Sequence, residues 1–273
     1  MNGENSMKSC KLIFLLLLIL LTCSCKKSEN RNSTTQLQQN VPNNTSSTDE
    51  FISENNNKTF FYNNLFSYTI EKDSIKITET DAIKNTIVEK QMVIPEEIDG
   101  LPVKSIGNDA FYQYKDVKCF VLPQNLSKIE YGAFYRCYSL ETITIPENVN
   151  FIDYETFFRC SSLSEINVEP KNEHYSDVDG VLFNKEKTIL HTYPEGKKDN
   201  KYTIPSTVRE IGDSAFGYRC YHLKEIVIPK NVTIFPDYNI FVFPNDILLC
   251  VEPNSAAERY AKEHQLRYET KNK

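Results

Sequence analysis

Residues 95 to 241 return to one pattern five times, and nothing else in the chain restricts its fold so much. An aliphatic residue is followed three positions on by a second apolar residue, and five beyond that by a Phe or Ile. The copies are Val103/Ile106/Phe111, Leu126/Ile129/Phe134, Val149/Ile152/Phe157, Val208/Ile211/Phe216 and Val232/Phe235/Ile240. Their starts step by 23, 23, 59 and 24 residues, so the third gap spans two periods plus an insertion. A repeat of this length means a solenoid, a stack of units none of which can bury its apolar face alone.

Apolar residues after each Phe extend the unit. They fall 6, 9 and 11 positions on, as Val117, Phe120 and Leu122, then Leu140, Ile143 and Ile145, then Leu163, Ile166 and Val168. After Phe216 all three shift by one, to Leu223, Ile226 and Ile228. Alternation predicts strands whose apolar residues point inward while those between them face out. Pro123, Pro146, Pro205 and Pro229 close the strands, because Pro cannot donate to a ladder. Gly107, Gly132 and Gly212 mark turns.

The motif I-G-x-x-A-F at 106–111 and 211–216, with near-matches at Ile129 and Ile152, and x-x-C-x-x-L-x-x-I-x-I-P after the Phe, resemble the repeats of the BspA-type leucine-rich repeat family of surface proteins. The resemblance runs over about residues 60 to 270. It implies an α/β leucine-rich repeat solenoid with a curved parallel β-sheet and a short helical or irregular convex side. The segment 169–205, with Asn172 and the run from Tyr175 to Lys185, is similar to an insertion recurrent in that family, and the unit from Val251 to Ala261 to its C-terminal cap. Ser255 is the expected N-cap of a short helix there, with Glu258 completing a capping box.

Before the array, residues 59–94 alternate apolar and polar residues in Phe60 to Tyr62, Phe66 to Ile70 and Ser74 to Thr78, the signal of an N-terminal β capping unit. The repeats then occupy 95–245 and the C-terminal cap 246–273.

The first 25 residues read as an export signal. Lys8 and Lys11 precede an apolar run from Leu12 to Leu21, too short for a bilayer, which needs about 20 residues, but suited to a signal peptide. The acidic stub before Met7 leaves the start at Met1 or Met7. Cys25 after Ser24 resembles the lipobox of bacterial lipoproteins and is the expected lipid-attachment residue; Cys23 is the alternative. The other reading is secretory cleavage that leaves the chain soluble. Residues 26–58 are rich in Asn, Ser, Thr and Gln, cannot bury enough surface to fold, and read as a tether. A flexible chain of roughly 30 residues spans about 30 Å.

Chemistry is sparsely signalled. A net charge of −6 without a basic patch argues against nucleic acid. Asp177-Val178-Asp179-Gly180 looks like the D-x-D-G loop of haloacid-dehalogenase-type phosphatases, but no apolar strand precedes it, and a calcium loop would need a further ligand. The four His residues at 174, 191, 222 and 264 are scattered, and no nucleophile–base motif occurs. Cys spacing does not suit zinc. The expectation is a non-enzyme without cofactor or metal. Cys137, Cys160 and Cys220 share a position after the Phe, where Tyr114 stands after Phe111, and read as small apolar residues in a column. Export would allow Cys137 and Cys160 to pair instead.

Two faces are open to a partner. The outward strand residues are Cys119, Val121, Thr142, Thr144, Glu165, Asn167, Thr203, Glu225 and Val227, expected to form one continuous surface. The alternative is a ring set near the turns, Tyr112, Tyr135, Tyr138, Phe158, Tyr218 and Tyr221, flanked by Arg136, Arg159 and Arg219, of the types favoured at interfaces. Such rings can equally pack along the convex side. The resemblance implies a cell-surface protein that adheres to host matrix or plasma proteins, or to other bacteria. An envelope lipoprotein that scaffolds from the periplasmic side is the alternative, and a phosphate-ester hydrolase at Asp177 and Asp179 a remote one.

Overall fold

The computed structural model describes residues 59–63, 65–79, 90–217, 220–237 and 247–271. The expected signal peptide and tether, Cys23, Cys25, Tyr218, Arg219 and Ile240 lie outside them. The described chain opens with β1 (Phe60–Tyr62), β2 (Phe66–Glu71) and β3 (Ser74–Thr78), joined antiparallel. Period-two alternation places Ile75 and Ile77 in the core, and from β3 onward the pairing becomes parallel.

The array follows as β4 (Gln91–Val93), β5 (Glu97–Ile98), β6 (Leu101–Ile106), β7 (Cys119–Val121), β8 (Lys128–Ile129), β9 (Thr142–Ile145), β10 (Phe151–Ile152) and β11 (Glu165–Val168). Each coil of the solenoid, meaning one turn of it, supplies a strand to each of two parallel sheets. The L-x-x-I-x-I segments build β4-β7-β9-β11, and the residues around the Ile of I-G-x-x-A-F and its near-matches build β6-β8-β10, which continue the sheet from β3 of the entry unit. Far from being irregular, the second side carries two-residue strands held in register, such as Ile106 opposite Ile129 and Ile129 opposite Ile152. The insertion contributes β12 (Tyr175–Val178), β13 (Val181–Asn184) and β14 (Ile189–Thr192), in antiparallel order. Then come β15 (Lys201–Thr203), β16 (Glu210–Ile211), β17 (Glu225–Ile228), β18 (Leu248–Val251), α1 (Ala256–Glu263) and β19 (Tyr268–Thr270). β14 runs parallel to β16, and β15-β17-β18-β19 form a second four-stranded parallel sheet. The whole is a β-solenoid of about seven turns, with α1 its one helix among the described residues.

The repeated apolar residues are the core. In the first three copies every signature residue is no more than 3% exposed. Phe111, Phe134 and Phe157 stack in file, with centroids 5.5 and 5.7 Å apart, and Phe66 of the entry unit meets Phe111 edge-on at 6.0 Å. The file continues through the long gap. Leu190 stands opposite Ile211, and buried Tyr193 packs 5.6 Å from Phe216 while its N–H bonds Ala215 O as the N–H of Phe111 bonds Ala133 O. Leu190 and Tyr193 are thus a copy shortened by two residues, the reason the pattern does not show it. In the last copy Val232 is buried, and Phe235 is half-buried against Tyr260 of α1 at 4.6 Å.

The core forms two clusters, which meet at β13. Leu182 belongs to the first, while Val181 and Phe183 belong to the second, so this strand is buried on both faces. At the C-terminal cap, Ser255 Oγ accepts from Glu258 N at 3.1 Å as expected. Glu258 reaches one residue further back than a capping box requires, to Asn254 N at 2.6 Å, because Ser255 N already donates to Glu252 O.

Candidate binding face

Register puts the outward strand residues in columns. Gln91, Cys119, Thr142 and Glu165 follow one another across β4, β7, β9 and β11, with Val93 opposite Val121 and Thr144 opposite Asn167. Thr142, Thr144, Val121 and Asn167 are half-buried and Glu165 exposed; Cys119, expected to face out, is buried. Across the second sheet run Lys201, Glu225 and Leu248, and beside them Thr203, Val227, Cys250 and Glu269.

One expectation is corrected. The two halves of the face do not form one continuous sheet, because β11 and β15 are not paired. The hairpin β12–β13 stands at the edge of β11, where Ile166 N donates to Gly180 O and Val168 N to Asp177 Oδ1 at 2.9 Å. With those donors satisfied, the ladder has no use for another strand there.

The second half holds a charge network. Glu225 accepts from Lys201 Nζ at 2.7 Å and from the Cys250 thiol at 3.1 Å, with Lys271 Nζ at 3.7 Å. The Lys201 hydrogen bond leads in holding the Glu225 carboxyl down at about 2. The single Cys250 proton is shared between Glu225 and Glu269, whose Oε1 lies 3.2 Å from the sulfur. Burial, then those two carboxylates, push its thiol up to about 12. It is therefore a protonated donor at neutral pH and a poor nucleophile. Beside the network lies an open groove of about 340 Å³, lined by Thr203, Val227 and Cys250, by Pro205 and Pro229, and by Lys271. A second concavity, about 710 Å³, is lined by Glu147, Asn148, Asn150, Lys171, Glu173 and His174. Its mostly polar walls offer a partner little apolar surface to desolvate, whereas the first groove is mostly apolar.

The groove joins Thr203 and Val227, which sequence reasoning nominated, to Cys250 and Lys271, which it did not; nominated Glu225 meets those two in the network beside it. The 23-residue step from Val227 to Cys250 places the thiol one strand on, but the segment that carries it departs from L-x-x-I-x-I-P, with Asp246 at the Leu position.

The ring set packs against itself. Tyr112 and Tyr135 stack at 5.4 Å and Tyr135 and Phe158 at 5.7 Å, all half-buried. Arg136 lies over both Tyr rings and donates to Tyr112 Oη at 2.9 Å. Gln113, Arg136 and Arg159, each two residues after its Phe, take left-handed backbone at φ 62°, 61° and 63°, which turns the chain at the same place in each coil. Tyr138 and Tyr221 are exposed.

Asp177 and Asp179 belong to the hairpin. Asp177 holds the Val168 amide, and Asp179-Gly180, at φ 50° and 74°, forms the two-residue turn that such a dipeptide favours. Among the described residues no cluster of His, Cys, Asp or Glu is arranged to hold a metal ion. The buried thiols Cys137, Cys160 and Cys220 are free. Each donates to a Phe carbonyl, at 3.1, 3.0 and 3.0 Å. Burial pushes all three thiols up, so the column is inert packing.

Comparison with known proteins agrees with this architecture. The model of the BspA type leucine rich repeat region matches six copies over residues 90–189 and 184–243. No curated protein matches the sequence. Among solved structures, a leucine-rich repeat protein from Eubacterium ventriosum is 20% identical with a TM-score of 0.50. The match covers 75% of this chain and 66% of that one, just under two thirds of its length. A T. pallidum leucine-rich repeat protein is 20% identical over 75% of this chain and 95% of its own, with a TM-score of 0.43. One from Bacteroides ovatus is 23% identical over 68% and 54%, with a TM-score of 0.44.

Proposed function

Because the chain belongs to the BspA-type leucine-rich repeat family, we propose that it is an exported, surface protein-binding module, held by a lipid on Cys25 and lifted from the membrane by the tether of residues 26–58. The observation that carries the binding reading is the groove along Thr203, Val227 and Cys250. Partly apolar and flanked by a neutralised charge network, it is a patch whose desolvation costs little. The outward columns of the first sheet, uncharged apart from Glu165, extend the contact area. The function is adhesion, to host matrix or plasma proteins or to other bacteria, and the partners are proteins. No residue is assigned a catalytic role.

The test uses whole cells carrying the intact chain. Added protease should remove the repeat array, and a Cys25→Ser chain should be released from the membrane. Beads bearing the chain should capture an extracellular matrix, plasma or bacterial surface protein, and Val227→Lys should weaken capture by tenfold or more, as loss of a central contact does. An array shielded from protease, with no extracellular partner captured, overturns the reading in favour of an envelope scaffold.

A further inference from the structure

Within a regular stretch of the solenoid, each coil's backbone is satisfied by the backbone of the next. Asp153 N donates to Ile129 O, Arg136 N to Phe158 O and Gln113 N to Tyr135 O. At the third coil that rule gives way: Ile166 N to Gly180 O and Gly196 N to Leu163 O still join it to the insertion through backbone, but four other bonds pass through side chains. Ile152 N donates to the Tyr175 hydroxyl at 2.9 Å and Ile152 O faces His191 Nε2 at 3.0 Å. Arg159 N donates to Glu195 Oε1 at 2.7 Å and Val168 N to Asp177 Oδ1 at 2.9 Å. All four partners come from the insertion, and all four are side chains. Both sheets end at this coil, at β10 and β11, and the two core clusters divide beside it.

We infer that this side-chain seam is a joint that opens by itself, before either half of the solenoid unfolds, and that acid opens it. The geometry supplies the reason. A carbonyl oxygen can only accept, so His191 Nε2 carries the proton and Nδ1, 2.8 Å from Thr192 Oγ1, must accept from that hydroxyl. A second proton on the ring would reverse the Thr192 bond, leaving the hydroxyl's own proton to find another acceptor, and would bury a charge. Tyr154 stacks on the ring at 4.6 Å, Tyr175 meets it edge-on at 5.8 Å, and Asp153 is the carboxylate that bears on it. Glu210 and Asp213 lie beyond Tyr154. Carboxylates also take backbone amides at coil turns elsewhere, Glu96 from Gln124 N and Glu252 from Lys230 N, but the strand ladders on either side are joined backbone to backbone and hold no buried His. A joint here would let the two halves of the candidate face turn relative to one another.

Hydrogen exchange on the intact chain, corrected for intrinsic rates, tests this at pH 7 and pH 5. Peptides covering 150–170 and 188–194 should exchange faster than those covering 126–145 and 223–232 at both values. Their opening should rise roughly twentyfold at the lower pH, as follows when a ring neutral in the closed joint protonates freely in the open one. His191→Gln keeps a donor for Ile152 O but cannot titrate, and should flatten that response. Tyr175→Phe should raise seam exchange about fivefold at both pH values, the loss of one hydrogen bond. Seam amides protected as well as those inside the coils, or an acid response unchanged in His191→Gln, overturn the inference. Should His191→Gln fail to fold, the wild-type profile and Tyr175→Phe decide it.

Discussion

Cys160 Sγ lies 3.0 Å from the carbonyl oxygen of Phe134, one coil back, and Cys137 Sγ makes the same bond to Phe111. A thiol is small enough for the column and still supplies a donor to a buried carbonyl. Cys160→Ala removes both the donor and volume from a sealed site. It should destabilise the array by about 1–3 kcal/mol, read by urea unfolding. Cys160→Ser, which keeps a donor, should cost less. Thiol reagents should leave both cysteines unmodified until the array unfolds.

Phe134 stacks on Phe111 and Phe157 at once, 5.5 and 5.7 Å away, and is fully buried. Truncation to Ala leaves a cavity between two coils, which relaxes poorly because both neighbours are fixed by their own ladders. The expected loss is about 3–5 kcal/mol. Tyr135→Ala, beside it but in the half-buried outer file, should cost clearly less.

Gly212 has no room for a side chain. A Cβ there would lie 2.4 Å from Tyr154 Cε1 and 3.1 Å from Leu190 O. Gly212→Ala should therefore cost about 1–3 kcal/mol through overpacking. Tyr154→Leu in the same chain should recover part of that loss, giving a positive coupling in a double-mutant cycle.

His191 is buried, and burial lowers its pKa from 6.5 to about 4. The unfolded chain binds a proton that the folded chain refuses. This contribution to stability is thus fully present above about pH 6.5 and is lost as pH falls toward 4. The change is on the order of 3 kcal/mol. Urea unfolding at pH 7, 5.5 and 4 should show the decline, and His191→Gln should remove it from that window. The depressed Glu225 carboxyl acts lower, its contribution vanishing as pH falls through about 2.

The core was legible because burial is local and periodic. Val117, Leu140 and Leu163 had to point inward in each coil, and the spacing of their neighbours marks the same column. The face was legible as a set of outward positions, Thr142, Thr144, Glu165 and Asn167 on one sheet and Thr203, Glu225 and Val227 on the other. Its interruption was not. It depends on Asp177 reaching back nine residues to a backbone amide, on Glu195 reaching 36 and on His191 reaching 39. Nothing in the spacing of those residues announces such bonds.

By itself, then, the sequence determined the coil, its length and the residues that fill it, because each unit must bury one face and the 23-residue step between the early copies leaves one way to stack. Only the tertiary structure decided how the array survives its insertion. There, side chains distant in sequence take the place of a missing strand, since a buried backbone amide must find an acceptor from whatever the fold brings near it.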